Sequence, residues 1–346
     1  MPNFDDKYEI RQANINDIPL IMNYIEEDWR SGHIMARNRD FFEYEFLESD
    51  NSVNVVVAID KETGRIDGMI GYLYSSNTPG KKDVWGSIWK VRDGSVSLLG
   101  AEIMRRMEII SGCRYNLGTG ANPKTNIPIM RVMFRRTADK MKQYYRLSPR
   151  AIDDYKIAKI SYEPDIVAGG QSESDSNYSV ERIIDADILK TFFESSVCQT
   201  AIPYKDLWYV KKKFFDHPIN DYEVYGIRNT NDYEAIFVLR RQMANERMCI
   251  RMVEYIGDMS AIKHTNSYWD KLFADNEDME YVDFYCLGMN DADMSMAGFS
   301  VRKDEDDNII PNYFNPFCRE NIDIWVHYPV PGVIFTKADG DQDRPS

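Results

Sequence analysis

The stretch VWGSIWKVRDGSVSLLGAEIMRRMEII, residues 84–110, carries the clearest fold signal in the sequence. Its first eight residues are typical of a strand, and a loop containing Gly94 follows. From residue 97 apolar residues recur at helical spacing, and Gly112 ends the pattern. A strand, a glycine-containing loop and a helix in this order predict an α/β unit, whose helix N-terminus offers backbone N–H groups to an anion.

The same alternation of strands and helices extends over the whole chain, once in each half. The first half has predicted strands at 8–13, 53–60, 67–76, 84–91 and 113–119, with helices at 16–29, 39–49, 97–110 and 127–137. The second half has predicted strands at 180–185, 221–228, 235–243, 248–258 and 281–289, with helices at 186–196, 205–215 and 261–275. Residues 161–179 are rich in Ser, Gly and acidic residues and read as a linker. We therefore expect an α/β domain at 1–160 and a second at 180–346 that ends in an acidic tail.

Composition and charge restrict the class of protein. The 346 residues are 43% hydrophobic, which predicts a globular chain. The first residues show no signal peptide, and no apolar run approaches the roughly 20 residues that span a bilayer. The five cysteines are scattered and predict reduced core residues rather than a zinc site or disulfides. These features predict a cytoplasmic protein without membrane insertion or a metal.

The net charge of −14 argues against non-specific binding of nucleic acid, but the charge is uneven. Residues 81–160 hold 17 Lys and Arg against 7 Asp and Glu, whereas the rest of the chain holds 25 against 49. One interpretation is a solvated basic face paired with acidic residues. The other is a pocket for a phosphorylated small molecule, and the sequence leaves both open.

The order of elements resembles the GNAT superfamily of acyl-CoA-dependent N-acyltransferases. IWKV and RDGSVSLLGAEIMRRM stand where these enzymes carry a strand, a pyrophosphate loop and a helix. The resemblance implies two tandem GNAT-like domains, each a mixed central sheet flanked by helices, with acetyl-CoA or another acyl-CoA as co-substrate. The helix that begins near Asn126 resembles one that reaches a Tyr proton donor in the family, but Phe134 stands at that position. Another donor is then required, and Tyr145 follows on the next predicted strand.

Five motifs of the second half resemble tandem GNAT-like proteins of bacterial surface-polysaccharide biosynthesis. They are HP at 217–218, VEYIGD at 253–258, AGF at 297–299, IIPNYFNPF at 309–317 and DGDQDRPS at 339–346. The resemblance implies N-acyl transfer to an amino sugar, nucleotide-linked, as the small-molecule partner. An aminoacyl-tRNA-dependent transferase and a non-catalytic protein that binds a sugar nucleotide or a partner remain alternatives, and a homo-oligomer is possible.

Candidate site residues fall into three sets. The candidates for acid–base catalysis are His33, Glu43 and Tyr145. The candidates for acyl-CoA binding are Arg92, Gly94, Gly100, Arg105, Asn126, Arg131 and Arg135. The candidates for acceptor binding are Lys205, His217, Glu254, Asp258 and Asp341. The choice follows from chemistry, because imidazole titrates near neutral pH and guanidinium groups match phosphate oxygens. Asp258 as a helix cap and His217 as a helix stop are equally open.

The alternating aspartates of DGDQDR, residues 339–344, are typical of a cation-binding loop. A calcium loop needs Gly at its sixth position and Glu at its twelfth, but Arg344 occupies the sixth position and no residue occupies the twelfth. We therefore expect the segment either to fray or to fold back, so that its carboxylates bind a basic site or a substrate amine or hydroxyl.

Overall fold

The computed structural model describes residues 3–164, 177–230 and 232–345. It divides into two compact units. Unit 1 comprises Met1–Ala138, His327–Val330 and Gly340–Ser346, and unit 2 comprises Asp139–Val326 and Pro331–Asp339. The first change of unit falls at residue 138, earlier than the predicted linker, of which residues 165–176 lie outside the described residues. The acidic segment is also divided, since residues 340–345 belong to unit 1 rather than to the second domain.

The strands and helices follow the sequence prediction closely. The strands are β1 Tyr8–Asn14, β2 Ser52–Asp60, β3 Ile66–Tyr74, β4 Val84–Val91, β5 Asn116–Thr119, β6 Thr137–Lys140, β7 Lys142–Leu147, β8 Ser179–Ile183, β9 Glu223–Arg228, β10 Tyr233–Ala244, β11 Arg247–Gly257, β12 Met279–Leu287, β13 Ser300–Val301, β14 Tyr313–Phe314, β15 Phe317–Cys318, β16 Trp325–Tyr328 and β17 Phe335–Thr336. The α-helices are α1 Phe4–Lys7, α2 Ile18–Tyr24, α3 Ile34–Arg37, α4 Arg39–Phe46, α5 Leu99–Ser111, α6 Asn126–Phe134, α7 Lys190–Phe193, α8 Ser196–Thr200, α9 Leu207–Val210, α10 Asn266–Ala274 and α11 Asp291–Met296. Helix α2 continues as a π-helical turn at Ile25–Trp29, α9 continues likewise at Lys211–Phe215, and a 3₁₀ helix at Met259–Thr265 precedes α10.

Two mixed sheets organise the chain. The first has the strand order β1-β2-β3-β4-β5-β16-β6, and the second has the order β13-β7-β12-β11-β10-β9-β8. Parallel pairing joins β4 to β5 in the first sheet and β11 to β12 in the second. Strand β16 comes from the second half of the sequence, and β7 comes from the first half. Each sheet is therefore completed by a strand from the other half, which the sequence pattern does not predict.

Helix α5 covers one face of the first sheet. Its apolar residues Leu99, Ile103 and Met107 share a face at helical spacing and are buried. The helix approaches closely because Gly68 faces it, and a Cβ at Gly68 would lie 2.6 Å from Ile103 Cδ1. Gly112 ends α5 in the left-handed region with a φ of +59°, as expected of a glycine at this position. The fold therefore sets the start of α5 directly after the β4 loop.

Helix α10 packs on the second sheet through Trp269. The Trp269 side chain is fully buried and contacts the rings of Phe237, Tyr268 and Phe299. Its indole N–H donates to Thr265 Oγ1 over 2.8 Å, so that the polar edge of the ring is satisfied inside the core. This aromatic cluster fixes α10 beside β10, the neighbour of the parallel strand β11.

Candidate active site

In unit 1 the parallel strands β4 and β5 begin side by side and then separate. They pair at Val84–Asn116 and Trp85–Leu117, whereas β4 continues to Val91. A bulge lies in the part of β4 that pairs with β3 but not with β5. The register against β3 shifts there, and Ile88 has a φ of +44°. A bulge bends a strand and re-aims its backbone groups. Within the described residues β4 and β5 have no paired positions beyond Trp85 and Leu117, and we call this separation of the two strands the gap.

A closed polar cluster stands at this gap. Ser87 on β4 donates from Oγ to Asp341 Oδ2 over 2.8 Å and accepts from Arg344 Nη2 over 2.7 Å. The Arg344 guanidinium also donates to Glu45 Oε2 at the end of α4 through Nε (2.9 Å) and Nη2 (2.6 Å). Its Nη1 reaches Asp341 Oδ2 at 3.1 Å. We call Glu45, Ser87, Asp341 and Arg344 the β4 cluster.

The β4 cluster is buried to different depths. The side chains of Arg344 and Glu45 are 5% and 8% exposed, whereas that of Asp341 is 17% exposed. Burial alone would lower the pKa of Arg344, but the carboxylates of Glu45 and Asp341 outweigh burial and raise it. The guanidinium is therefore permanently charged. Two carboxylates against one cation leave a net negative site with Asp341 at its accessible side.

His33 lies within electrostatic range of the β4 cluster. Its Nδ1 accepts a hydrogen bond from the Met35 N–H at 3.3 Å, as the N-cap of α3. Its ring meets the Trp29 ring edge-on at 4.7 Å. Burial, with Arg344 and Arg30 nearby, lowers the pKa of His33 to about 4, and Asp341 only partly opposes this. His33 is therefore neutral at physiological pH, with its hydrogen on Nε2.

Two glycines let residues 340–342 lie against the separating strands. Gly120, directly after β5, has a φ of +66°, and a Cβ there would lie 2.1 Å from Gln342 Nε2. Gly340 has a φ of +59°, and its Cβ would lie 2.8 Å from Thr119 Oγ1 and 3.2 Å from Trp85 Cβ. Neither position accepts a side chain in its conformation or its space. The acidic segment is therefore folded into unit 1 rather than frayed.

The parallel strands of unit 2 also separate, and there the chain itself supplies backbone partners to both strands. Strands β11 and β12 pair from Met248 to Met252, and Val253 is an extra residue against β10. Beyond that point β17 pairs with β12 through Phe335 and Thr336. On the opposite side the Ala338 N–H donates to the Val253 carbonyl at 2.7 Å. Residues 335–338 therefore occupy the position between the two strands.

A buried ionic cluster fixes this filling segment. Lys205 Nζ lies 2.7 Å from Glu254 Oε2 and 2.6 Å from Asp339 Oδ1, and both carboxylates are fully buried. Thr336 and Tyr209 donate from their hydroxyls to Glu254 at 2.8 and 2.9 Å. Burial lowers the pKa of Lys205, but the two carboxylates outweigh it and raise the pKa. Burial raises the pKa of Asp339 to about 6, with Lys205 opposing and Glu254 adding to the shift.

Two solved structures share this arrangement of sheets. A GCN5-related N-acetyltransferase from Anabaena variabilis aligns over 93% of this chain and 72% of its own, with a TM-score of 0.56 and 9% identity. A protein from Enterococcus faecalis described as a probable N-acyltransferase aligns over 94% of this chain and 73% of its own, with a TM-score of 0.55 and 8% identity. The chain has the GNAT fold. Comparison with protein-family models gave no match, and neither did comparison with curated proteins.

The GNAT fold does not bring the three predicted catalytic residues together. Glu43 is a half-buried position of α4, where it pairs with Arg39 at 2.7 Å one turn away. Tyr145 lies on β7 in the core of unit 2, where its hydroxyl accepts from Asn308 Nδ2 at 3.2 Å. Burial raises the pKa of Tyr145. Only His33 stands beside the β4 cluster.

The predicted phosphate-binding arginines have separate partners. Arg92 donates to Asp28 Oδ1 at 2.6 Å and to the Ile66 carbonyl, so that it closes the loop after β4. Arg105 pairs with Glu102 on the same helix, and Arg131 donates to the Ala138 carbonyl. Arg135 is the C-cap of α6, with a φ of +53°. The contacts of the described residues thus favour the interpretation of a paired basic face over a cluster of converging guanidinium groups.

The other predicted donor-binding residues lie in the loop after β4 and at the starts of α5 and α6. Gly94 has a φ of +84° in the loop after β4. Gly100 lets α5 approach β4, since a Cβ there would lie 3.2 Å from Val91 Cγ2. Asn126 begins α6, and its buried Oδ1 accepts no hydrogen bond within the described part of the chain. A buried amide oxygen without a donor calls for a partner.

The predicted acceptor-binding residues divide between the units. Lys205 and Glu254 meet in the buried cluster of unit 2, and Asp341 belongs to the β4 cluster of unit 1. Asp258 caps the 3₁₀ helix at 259–265, where it accepts from the Ser260 N–H at 2.8 Å. The imidazole of His217 accepts at Nδ1 from the N–H groups of Ile219 and Asn220. Asp258 is thus a helix cap in the structure and His217 binds the backbone after the helix, while acceptor binding by either residue stays a prediction.

Sequence reasoning missed most of the β4 cluster. Glu45 reads as a solvated helix position, yet it is buried against Arg344. Ser87 lies in an apolar strand pattern, and Arg344 is noticed only as a residue that spoils a calcium loop. The usable signal is the unusual pairing of Gly340 and Arg344 with alternating aspartates, which indicates a folded segment but not its docking position.

The described residues, 3–164, 177–230 and 232–345, contain neither a candidate membrane-spanning helix nor a candidate metal site. No helix there is both long and apolar enough to cross a membrane. No group of three or more His, Cys, Asp and Glu side chains is arranged there as a metal site.

Proposed function

We propose that the protein is an acyl-CoA-dependent N-acyltransferase whose reaction takes place in unit 1. The observation that carries this proposal is the gap between β4 and β5. An unpaired strand edge binds an extended chain that carries amide groups. The pantetheine arm of an acyl-CoA carries two amides in an extended chain, and the bulge at Ile88 aims a backbone group at its thioester end.

The start of α5 supports a diphosphate position beside this gap. Helix α5 has no side-chain cap, and Leu98 before it adopts the left-handed region with a φ of +69°. The Leu99 N–H already donates to the Val96 carbonyl and the Glu102 N–H to the Leu98 carbonyl, so the N–H groups of Gly100 and Ala101 are the ones proposed to meet an anion. Since α5 follows β4 after a short loop, one donor molecule can use the strand edge and the helix N-terminus together.

Unit 2 does not take a donor under this proposal. Residues 335–338 already supply backbone partners to β12 and to the bulge carbonyl of Val253. The ionic cluster around Lys205 holds that segment with fully buried carboxylates. Displacing it would leave buried charges without partners, which costs several kcal/mol. We therefore expect one donor per chain.

The acceptor that we propose is an amino sugar, nucleotide-linked, of a surface-polysaccharide pathway. The resemblance of DGDQDRPS to the polysaccharide-associated proteins supports this class, and residues of that motif belong to the β4 cluster. The negative charge of the β4 cluster favours an ammonium group at this place.

Calorimetry combined with hydrogen exchange tests the proposal. Acetyl-CoA should bind once per chain with a Kd below about 100 µM, roughly −5.5 kcal/mol. Bound donor should protect the amides of residues 88–91 and 99–102 from exchange and leave those of 253–257 unchanged. Protection at 253–257 instead, or binding of a sugar nucleotide without any binding of acetyl-CoA, would contradict it.

A further inference from the structure

We propose that Asp341 is the proton acceptor for the attacking amine in unit 1. This inference rests on the proposed function, since it assigns a residue to that reaction. Asp341 Oδ2 lies 2.8 Å from Ser87 Oγ, and Ser87 is the residue directly before the bulge at Ile88. The carboxylate therefore stands where the backbone of β4 turns towards the gap. It is also the most exposed charged group of the β4 cluster.

The other titratable groups near the bulge are less suited to accept a proton. The Nδ1 lone pair of His33 is taken by the Met35 N–H, so its Nε2 carries hydrogen and is a donor. Glu45 is 8% exposed and engages two N–H groups of Arg344. Asp341 Oδ2 accepts hydrogen bonds from Ser87 Oγ and Arg344 Nη1. Among the described contacts, Oδ1 accepts only from Gln342 Nε2, at 3.2 Å. Oδ1 is thus the oxygen that remains open to an ammonium group.

With Asp341 as the acceptor, each proton that the ammonium group loses has a place to go. An acceptor ammonium gives one proton to Asp341, and the neutral nitrogen then attacks the thioester carbonyl carbon. A C–N bond forms and the C–S bond breaks. The nitrogen loses a second proton, which the departing thiolate sulfur takes, so that an amide and free CoA thiol result. Asp341 returns its proton to water through its exposed side.

Ser87, Arg344 and Glu45 are positioning residues in this scheme. The Ser87 hydroxyl and the Arg344 guanidinium hold the Asp341 carboxylate by its Oδ2, and Glu45 holds Arg344. This arrangement fixes one carboxylate oxygen and leaves the other free. A rigidly oriented base needs no reorganisation when the amine arrives.

Two classes of nucleophile, one neutral and one protonated at pH 7, test the assignment in Asp341→Asn. Hydroxylamine is neutral at pH 7 and needs no base before attack, whereas glucosamine, an amino sugar, and ethanolamine and lysine are mainly protonated. The probe is acetyl-CoA, and release of CoA thiol is followed after subtraction of the rate without protein. We expect Asp341→Asn to lose at least about 100-fold in kcat/KM with the protonated amines and to stay within about threefold of the native rate with hydroxylamine.

Asp40→Asn is the matched control, because Asp40 is an exposed carboxylate on the same helix as Glu45. It should leave both rates unchanged, and Asp341→Glu should regain part of the lost rate. Equal losses with both nucleophiles would show that Asp341 only supports the structure, and this result would overturn the proposal. An unchanged rate in Asp341→Asn overturns it too. So does native protein that binds acetyl-CoA but acylates none of these amines, whereas absence of acetyl-CoA binding is a failure of the proposed function itself.

Discussion

At the scale of single residues, burial rather than residue type separates the charged groups that matter from those that do not. Glu43 and Glu45 are two positions apart on α4, yet one pairs with Arg39 at the surface and the other is buried against Arg344. The sequence identifies both as glutamates on a helix and cannot rank them. Their difference depends on a segment that lies about 300 residues further along the chain, as the separation of 299 between Glu45 and Arg344 shows.

Asp339 should make the stability of unit 2 depend on pH in an unusual direction. Burial raises its pKa to about 6, so between roughly pH 4 and pH 6 the native carboxyl binds a proton that the unfolded one has lost. The contribution of Asp339 therefore falls as pH rises through this range, by about 2 to 3 kcal/mol. Hydrogen exchange of the β11 amides measures it, as the free energy of opening in native protein minus that in Asp339→Asn.

The free energy of opening in native protein minus that in Asp339→Asn should become smaller from pH 4 to pH 7. Only the native protein has a carboxyl at this position that can lose its proton in this range. Subtracting the variant also removes the effect of other groups that titrate in the same range, including His33. Asp304→Asn is the control, since Asp304 is an exposed carboxylate paired with Lys140, and its difference should stay flat. A flat difference for Asp339→Asn as well would show that its pKa is not raised.

At the scale of secondary-structure elements, most of the fold is legible in the sequence. Strand β4 was predicted at 84–91 and observed at Val84–Val91, because a compact apolar run between a polar turn and a glycine loop admits little else. The bulge at Ile88 was not predicted, since it depends on how β3 and β4 register against each other. The pairing of β17 with β12 was not predicted either, because it joins residues about 50 positions apart and local pattern does not encode such a contact.

The packing of strand β16 against β5 predicts the effect of a substitution at Gly118. It lies beside β5, and a Cβ at Gly118 would lie 2.0 Å from Nε2 of the buried His327. Gly118→Ala should therefore push the ring away and destabilise unit 1 by about 2 to 4 kcal/mol, the range of strong overpacking. Gly86→Ala on β4 is the matched control, because its nearest neighbour would lie at an ordinary 3.5 Å.

Denaturant unfolding measures both variants, with exchange of the β5 amides to localise the effect. Gly86→Ala should change the free energy of unfolding by less than about 1 kcal/mol. Equal stability of Gly118→Ala and native protein would mean that His327 does not pack on the Gly118 backbone.

At the scale of the whole molecule, the boundaries of the two compact units differ from the boundary between the two halves of the sequence. The duplicated pattern predicted the tandem GNAT fold, and the solved neighbours show that fold. Strand order was beyond the sequence, because β7 and β16 each complete a sheet with strands that lie far away in the chain. Long-range pairing of this kind depends on tertiary packing, which local pattern does not encode.

A fragment of residues 1–160 should therefore fail to fold as unit 1 does. It lacks β16, so β5 and β6 lose the strand that lies between them, and it lacks the partner of the buried Glu45. We expect no cooperative thermal transition by circular dichroism and rapid exchange of the β5 amides. The full chain under the same conditions is the control, and a cooperative fragment with protected β5 amides would contradict this view of the sheet.

The strand pair in unit 2 that residues 335–338 occupy has a metabolic consequence. A segment tethered to its own binding place is present at an effective concentration in the millimolar range or above, whatever the cell contains. Swings in the cellular pool of acyl-CoA, or of any competing metabolite, would not dislodge it. A ligand for this place in unit 2 would therefore have to displace a covalently tethered competitor.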